Sequence, residues 1–244
     1  MERPLLTLRH TDDEKGEVGL DEAGRGCFWG PLMAGAVLWP PQASWTADHA
    51  AISREIRDSK KISPKKRERI ADAIQALATY ASVGSVSATE IDTHGVTWAN
   101  QEAFRRALKG LPGDLKTYRI LLDGELSLVD WDGDEQHCIV EGDSQFISIA
   151  AASILAKVTH DRWVQAFCDK DAVCAERYGL RTSKGYGTEA HRNGLVVHGA
   201  HAHHRRTFIG HYVSAEQALE KPVVVVKGYM RKQPAVTRCL IKLD

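Results

Sequence analysis

Four carboxylates in this sequence are spaced so that one fold could bring them together. Asp21 and Glu22 end the segment "EVGLDE", Asp123 ends the apolar run "ILLD", and Asp161 follows in "AAASILAKVTHD". Carboxylates that converge at one end of a sheet repel one another unless hard cations lie between them, and Mg2+ and Mn2+ prefer oxygen ligands. Two such ions can activate water and stabilise the leaving oxygen in phosphodiester hydrolysis, so the four acids together predict a site of that kind.

Each acid taken alone has a simpler interpretation. An Asp-Glu pair at a strand end usually faces water, Asp123 before Gly124 is also a turn signal, and a helical aspartate is usually exposed. Asp21 and Glu22 would also point to opposite faces of a regular strand, so both can serve one site only if the backbone turns just after them. Gly24 permits that turn. The prediction therefore depends on the acids as a group.

The elements that must position these acids follow from the pattern of apolar residues. An almost wholly apolar second strand suggests a buried hairpin near the N-terminus, and Ser63 as N-cap with Pro64 at the first helical position predicts a helix. The predicted strands are 17–22, 32–39, 80–87, one from 118 and one around 138–140. The predicted helices start after Ser63, span 97–108 and 146–167, and run from Thr188 to Gly199. Early antiparallel strands followed by alternating strands and helices predict an α/β fold with a mixed sheet.

The helix that carries Asp161 is predicted to pack closely on the sheet. Lys157, Ile154 and Ala150 lie 4, 7 and 11 residues before Asp161, so its stripe includes apolar members that face the core. The alanine run that starts at Ala150 would let the helix approach the strands closely. This position makes a site role for Asp161 more plausible than its residue type alone does.

Charge is segregated along the chain although the formal net charge is zero. Residues 54–69 hold eight Lys or Arg against three acids, whereas residues 121–143 hold eight acids and no Lys or Arg. One stretch could bind phosphates and the other metal ions. The alternative is that both stretches are ordinary solvated faces.

Composition favours one compact domain outside the membrane. The chain has 244 residues, of which 43% are hydrophobic, and no repeat or long linker divides it. The sequence contains no run of about 18 apolar residues that could span a bilayer. The N-terminus also lacks the apolar centre of a secretory signal, so we expect a cytoplasmic protein.

The five cysteines, an odd number without C-x-x-C spacing, are expected to be reduced. The β-branched run and scattered basic residues of segment 213–244 indicate a C-terminal extension with extended backbone and unknown role.

Six motifs in order give the sequence a family resemblance. The segments "GLDEAGRG", "DSKKIS", "LLDG", "AAASILAKVTHDR", "SKGYGT" and "HGAHAHHRRTF" together resemble bacterial ribonuclease HII. They extend from about residue 17 to 212. The resemblance implies a ribonuclease H-like mixed five-stranded sheet flanked by helices, with a C-terminal helical part and a short tail. Residues 1–212 would form the catalytic domain.

The resemblance also implies an activity and its metal ligands. It predicts an endoribonuclease that cuts the RNA strand of RNA/DNA hybrids and incises 5′ of a single ribonucleotide in duplex DNA, with Mg2+ or Mn2+. The metal ligands carried over are Asp21, Glu22, Asp123 and Asp161, the first three being the firmer transfers. A monomer is expected, and a sliding clamp is a candidate partner of the tail.

Six further residues match substrate contacts of the family. The backbone of Gly24, Arg25 and Gly26 would read the ribose 2′-hydroxyl, Lys60 and Lys61 would contact phosphate, and Tyr186 would stack on the next sugar. A side chain on either glycine is expected to block the approach of the sugar. Cys27 departs from the family pattern, which has proline there, so the turn loses a rigid ring.

Other interpretations of the sequence stay open. The histidines His198, His201, His203 and His204 could bind zinc, but no cysteine lies close enough in the chain to complete a site, and phosphate contact or helix packing is favoured. The same acids could serve a junction-cutting or strand-transfer nuclease that needs no 2′-hydroxyl. The basic stretch alone could serve a non-catalytic nucleic-acid-binding protein, which would show salt-sensitive binding and no metal-dependent product.

Overall fold

The computed structural model describes residues 5–213, so the predicted C-terminal extension lies outside the described residues apart from its first residue. The strands are β1 (Gly16–Ala23), β2 (Leu32–Leu38), β3 (Tyr80–Val86), β4 (Tyr118–Asp123) and β5 (Glu135–Ile139). The helices are α1 (Ala47–Ser53), α2 (Pro64–Leu77), α3 (Ala88–His94), α4 (Val96–Leu108), α5 (Ile147–Lys170), α6 (Ala172–Arg177), α7 (Leu180–Ser183), α8 (Glu189–His198) and α9 (Arg206–Ile209). Within residues 5–213, no helix is both long and apolar enough to cross a membrane.

The five strands form one mixed sheet in the order β3-β2-β1-β4-β5. β1 pairs antiparallel with β2, and β2 pairs antiparallel with β3, as the predicted hairpin requires. β1 pairs in parallel with β4, and β4 pairs in parallel with β5. The parallel pairing places the carboxyl ends of β1 and β4 side by side, which is where ligands bind in sheets of this kind.

The two faces of the sheet are covered by different helices. Val18 and Leu20 of β1 pack in one buried cluster with residues of α4, whereas the alternating positions of β1 face α5. Ile120 and Leu122 of β4 join the α4 cluster. Because side chains alternate along a strand, Asp21 and Asp123 lie on the face that α5 covers.

The predicted elements are largely confirmed, with differences at their ends. Ser63 is the N-cap of α2 by its extended backbone, but its side chain makes no capping hydrogen bond, so Pro64 provides the start signal. Thr188 does cap α8 by accepting a hydrogen bond from a backbone N–H, and Gly199 ends this helix with φ of 73°. The short helices α1, α3, α6, α7 and α9 were not predicted.

Helix α5 packs on the sheet at backbone distance, as its alanine run predicts. Ala150 to Ala152 are fully buried, and glycines stand opposite them on the strands. A Cβ added to Gly35 would lie 2.2 Å from the carbonyl oxygen of Ala152, and one added to Gly19 would lie 2.2 Å from a backbone carbon of Ser148. The sheet side of this contact therefore requires glycine.

This packing can be tested at Gly35. We expect Gly35→Ala to lower the free energy of unfolding by about 1–3 kcal/mol, because the added methyl group overlaps helix backbone that cannot move aside. Gly210→Ala is the matched control, since a Cβ there meets nothing within 4 Å and its φ is −55°. Chemical denaturation measures both variants, and equal stability of the two would contradict the close packing.

Candidate active site

Two acids face each other across adjacent parallel strands. Asp21 is near the end of β1, Asp123 is the last residue of β4, and both side chains lie on the α5 side of the sheet. Asp21 is only 7% exposed, and its carboxylate accepts a hydrogen bond from the backbone N–H of Glu22 at 2.7 Å. The carboxylate of Asp123 accepts one from the backbone N–H of Asp143 at 3.3 Å.

Within residues 5–213, no salt bridge joins Asp21 or Asp123 to a basic side chain. Burial raises the pKa of Asp21 well above its ordinary value, and the charges of Asp123 and Glu22 raise it further. Burial also raises the pKa of Asp143, to which the charge of Asp123 adds. A cation placed among these carboxylates would relieve both effects, because an opposite charge favours the ionised form.

Glu22 approaches the same site from the other face of the sheet. Its carboxylate lies near the side chain of Asn100 on α4, which favours the charged form, and 3.6 Å from the guanidinium of Arg25. Burial raises the pKa of Glu22, Arg25 lowers it, and the charge of Asp123 raises it again. The strand ends one residue later, at Ala23, so Glu22 lies at the rim where both faces meet.

Asp161 is placed differently from the other three acids. Its carboxylate accepts a hydrogen bond from Lys157 at 2.8 Å and lies 3.7 Å from Arg67. Burial alone would raise its pKa, but hydrogen bonds from His160 and Lys157 outweigh burial and lower the pKa of Asp161. The structure therefore brings Asp21, Glu22 and Asp123 into electrostatic contact, whereas Asp161 is neutralised by bases of its own.

The donor set suits a hard divalent cation, although the side chains do not yet enclose one. Among residues 5–213, no three His, Cys, Asp or Glu side chains converge closely enough to hold a metal as they stand. All the nearby ligand atoms are carboxylate oxygens, which Mg2+ and Mn2+ prefer. Binding by Asp161 would require its release from Lys157.

The glycine-rich turn after β1 has one closed side and one open side. The backbone N–H of Cys27 donates to the carbonyl oxygen of Gly24 at 3.2 Å. Gly24 has φ of 79°, and a Cβ there would lie 2.5 Å from the ring of His160, so the protein's own packing requires this glycine. A Cβ on Gly26 would meet nothing within 4 Å. The folded chain itself therefore does not require glycine at position 26.

Tyr186 lies beside this turn and keeps part of its ring at the surface. Cys27 and Tyr186 form an isolated antiparallel bridge, and Tyr186 remains 39% exposed. The ammonium of Lys157 lies 5.6 Å from the centre of its ring. Burial of the hydroxyl raises the pKa of Tyr186 to about 12, so the phenol stays protonated. Tyr186 is therefore not a fully buried core residue.

The basic stretch borders the acids. Lys60 and Lys61 are exposed in a short 3-10 helix, where Asp58 caps the N-terminus by accepting from the backbone N–H of Lys60 at 2.9 Å. The charges of both lysines act on Asp143, which in turn contacts Asp123 through its backbone N–H. Lysines and carboxylates therefore adjoin, as phosphate beside a metal ion would require.

Several residues of this region were not predicted from the sequence. Asn100 lies near Glu22 and Ser153 near Asp21, on opposite faces of the sheet, and each of these polar side chains favours the ionised carboxylate. Asp143 was counted only within the acidic run. Uncharged residues such as Asn100 and Ser153 do not stand out in the sequence, so only the folded structure shows that they lie beside the acids.

Cys27 is a packed thiol. It is fully buried, with Sγ 3.6 Å from Nε2 of His160 and from the carbonyl oxygen of Lys184. Burial raises the pKa of Cys27 to about 12, so the thiol is protonated at neutral pH. The residue that replaces the family's proline thus fills space in the turn and joins it to the strand bridge at Tyr186.

The histidines form a hydrogen-bonded relay. The carbonyl oxygen of Tyr186 can only accept, so His191 donates to it from Nδ1 at 3.0 Å. Nε2 of His191 must then accept from Nε2–H of His204 at 3.0 Å, and Nδ1 of His204 accepts the backbone N–H of His201 at 2.8 Å. Both rings are buried and neutral in this arrangement. No metal cluster forms here among residues 5–213, which supports helix packing over zinc.

Comparison with known proteins agrees with this geometry. Three solved structures share the fold at low sequence identity. The ribonuclease H2 from Pyrococcus horikoshii OT3 has a TM-score of 0.62 and 22% identity, with 80% of this chain and 98% of that chain covered. The ribonuclease HII of Archaeoglobus fulgidus in complex with PCNA has a TM-score of 0.59 and 20% identity (78% and 91% covered), and Bst-RNase HIII in complex with Mn2+ has a TM-score of 0.54 and 21% identity (84% and 69% covered). The mixed five-stranded sheet flanked by helices thus belongs to the ribonuclease H-like fold class.

The sequence comparisons narrow this class to one family. The family model for ribonuclease HII matches residues 18–211. The ribonuclease HII of Synechococcus sp. (strain WH7803) is 41% identical over 192 residues, covering 79% of this chain and 93% of that protein. The chain belongs to the ribonuclease HII family. It is an endoribonuclease that acts on RNA/DNA hybrids, as the family resemblance predicted.

The histidine relay predicts a loss of stability in acid. Burial lowers the pKa of His204 to about 3 and also lowers the pKa of His191, whereas an unfolded histidine titrates near 6.5. The unfolded chain therefore binds protons that the folded chain does not. The contribution of His204 is complete above about pH 6.5 and falls as pH drops toward 3, by about 1.4 kcal/mol per pH unit, and His191 acts in the same direction.

His204→Gln removes one of these titrating groups. Between pH 6.5 and 4.5, we expect the unfolding free energy of this variant to fall less steeply than that of the unsubstituted protein. The difference in slope should be about 1.4 kcal/mol per pH unit, which corresponds to one proton. The exposed His198→Gln serves as control and should leave the slope unchanged. Equal slopes in all three proteins would mean that His204 is protonated in the folded state.

Proposed function

We propose that this endoribonuclease recognises single ribonucleotides embedded in duplex DNA and incises on their 5′ side, leaving a 3′-hydroxyl and a 5′-phosphate. One observation carries the proposal. The uncompensated acids Asp21 and Asp123 adjoin a turn in which Gly26 is open on its outer side. A reacting phosphate and the sugar next to it need these two features side by side.

Divalent ions would complete the acid site. Asp21, Glu22 and Asp123 would hold them, with Asp161 joining when it leaves Lys157. Two bound ions supply an activated water and a counter-charge for the leaving oxygen of the phosphodiester. Support comes from the raised pKa of Asp21 and from the fold shared with Bst-RNase HIII, whose structure was solved in complex with Mn2+. We name Mg2+ or Mn2+ as the ion.

Recognition of the ribose would use the backbone of the turn. Gly24 and Gly26 would bring backbone groups against the 2′-hydroxyl, which is the group that distinguishes RNA from DNA. Arg25 would bind phosphate after a metal ion replaces it as the partner of the Glu22 carboxylate. Tyr186 would stack on the following sugar, because part of its ring is exposed next to the turn.

The duplex would be positioned without reading its sequence. Lys60 and Lys61 would contact phosphates next to the acid cluster, and such contacts set register and give salt-dependent affinity. Residues 1–212 would suffice for this activity as one domain, acting as a monomer in the cytoplasm. The tail from residue 213 would then be free to contact a sliding clamp, an idea that the complex of an archaeal relative with PCNA supports.

Asp21→Asn tests the acid site. We expect it to reduce cleavage of a duplex with one ribonucleotide by at least about 1,000-fold, because it replaces a charged metal ligand by a neutral side chain of nearly the same size. The unfolding free energy should stay equal or rise, because the substitution removes a repelling buried charge. Asp169→Asn, at an exposed acid paired with Arg181, is the control and should cleave normally. Full activity of Asp21→Asn would contradict the assignment.

Gly26→Ala tests the open side of the turn. We expect its stability to match the unsubstituted protein within about 0.5 kcal/mol, while kcat/KM on the single-ribonucleotide duplex falls about 10- to 100-fold because the methyl group meets the sugar. Gly210→Ala, whose Cβ is equally unobstructed, should alter neither quantity. Cleavage of an all-DNA duplex by the unsubstituted protein would instead indicate a nuclease that needs no 2′-hydroxyl.

A further inference from the structure

Arg205 is a buried cation that the proposed chemistry leaves without a role. It is 0% exposed, and burial lowers its pKa to about 10. No carboxylate hydrogen-bonds its guanidinium in the described part of the chain, where the nearest aromatic partner is the ring of Phe208 at 5.3 Å. Asp92 acts on it only at a distance, because that carboxylate accepts from the backbone of Arg206 and Thr207. Burying such a group is costly, and nearby charge does not offset the cost.

The donors of Arg205 instead hold the backbone that follows the glycine turn. Nη1 donates to the carbonyl oxygen of Arg25 at 2.8 Å, and Nε donates to that of Gly30 at 3.0 Å. One rigid, planar group therefore joins both ends of the segment 25–30. Lysine could not do the same, since a single ammonium on a flexible stem lacks the fixed fork of donors.

The backbone around Arg205 strengthens this attachment. Its own N–H donates to the carbonyl oxygen of Phe28 at 2.8 Å, and the N–H of Gly30 donates to the carbonyl oxygen of His203 at 2.9 Å. The residues of the turn and the histidine-arginine segment are thus joined like a short antiparallel pair, with Trp29 bridged to His204.

The same segment also fixes the other side of the turn. His204 next to Arg205 hydrogen-bonds His191, which donates to the carbonyl oxygen of Tyr186. The backbone N–H of Phe28 donates to the carbonyl oxygen of Gly185 at 2.9 Å. A single C-terminal segment therefore sets the position of both Tyr186 and the glycine turn.

We propose that Arg205 is a positioning residue for ribonucleotide recognition. It holds the carbonyl oxygen of Arg25, and thereby keeps the backbone between Gly24 and Gly26 where it can contact the 2′-hydroxyl. The inference rests on the proposed function, since it assumes that this turn reads the ribose. Arg205 itself touches no substrate. Its loss acts on the geometry of the turn, while the lysines that hold phosphate remain in place.

The experiment compares Arg205→Lys and Arg205→Ala with Arg119→Lys. Arg119 is a matched control, because it is equally buried and bonds Asp13, Glu17 and Glu135 at the opposite end of the sheet. Steady-state cleavage of a DNA duplex with one ribonucleotide is measured with Mg2+ over a range of substrate concentrations, with each protein's concentration set by its folded fraction. For Arg205→Lys we expect kcat to fall about 10- to 100-fold with KM changed less than about twofold, as misplacement without lost phosphate contact predicts.

Rescue separates positioning from general stability. Guanidinium ion, added at concentrations below those that unfold the protein, should restore part of the activity of Arg205→Ala by occupying the vacated site. It should restore none in Arg119→Lys, whose kcat should stay within about twofold of the unsubstituted value despite lower stability.

The outcomes distinguish the inference from the function on which it rests. Absence of cleavage by the unsubstituted protein would overturn the proposed function. Normal kcat in Arg205→Lys, or equal losses in Arg205→Lys and Arg119→Lys without guanidinium rescue, would overturn the positioning role alone. Failure of both Arg205 variants to fold would place the residue in the folding core and would likewise overturn it.

Discussion

The repulsion between Asp21 and Asp123 is the interaction on which the rest of this structure depends. Parallel pairing of β1 with β4 holds the two carboxylates on one face, and Asp21 is buried there, so water screens its repulsion with Asp123 poorly. The fold tolerates this because the glycines and alanines between helix and sheet are tightly packed. Stability is thus supplied by the sheet and its helices, while the site gathers carboxylates whose ionised forms a bound cation would favour.

Local patterns were enough to predict the strands and to place Asp21, Glu22 and Asp123 at strand ends. Alternation of apolar residues predicts the strands, Pro64 starts a helix, and the alanine run explains how α5 approaches the sheet. The family motifs then gave Asp21 and Tyr186 their expected roles. Each of these signals is contained within a few consecutive residues.

Other features could not be predicted, because they join distant parts of the chain. The ion pair of Asp161 with Arg67 depends on how α2 lies against α5, and the two bonds of Arg205 depend on how the C-terminal segment crosses the turn. The short helix α1 has too few residues for a clear periodicity. An arginine in "HHRRTF" reads as surface charge until the fold shows that it is buried.

The contact between Lys157 and Asp161 has a thermodynamic consequence. An ion that recruits Asp161 must displace the ammonium of Lys157, which lies over the ring of Tyr186 and can turn toward incoming phosphate instead. Nucleic acid that draws the lysine away therefore lowers the cost of loading the ion, and a loaded ion frees the lysine for nucleic acid. With the proposed roles of Asp161 and Lys157, the two ligands would be coupled reciprocally, and each would raise the affinity for the other by the same factor.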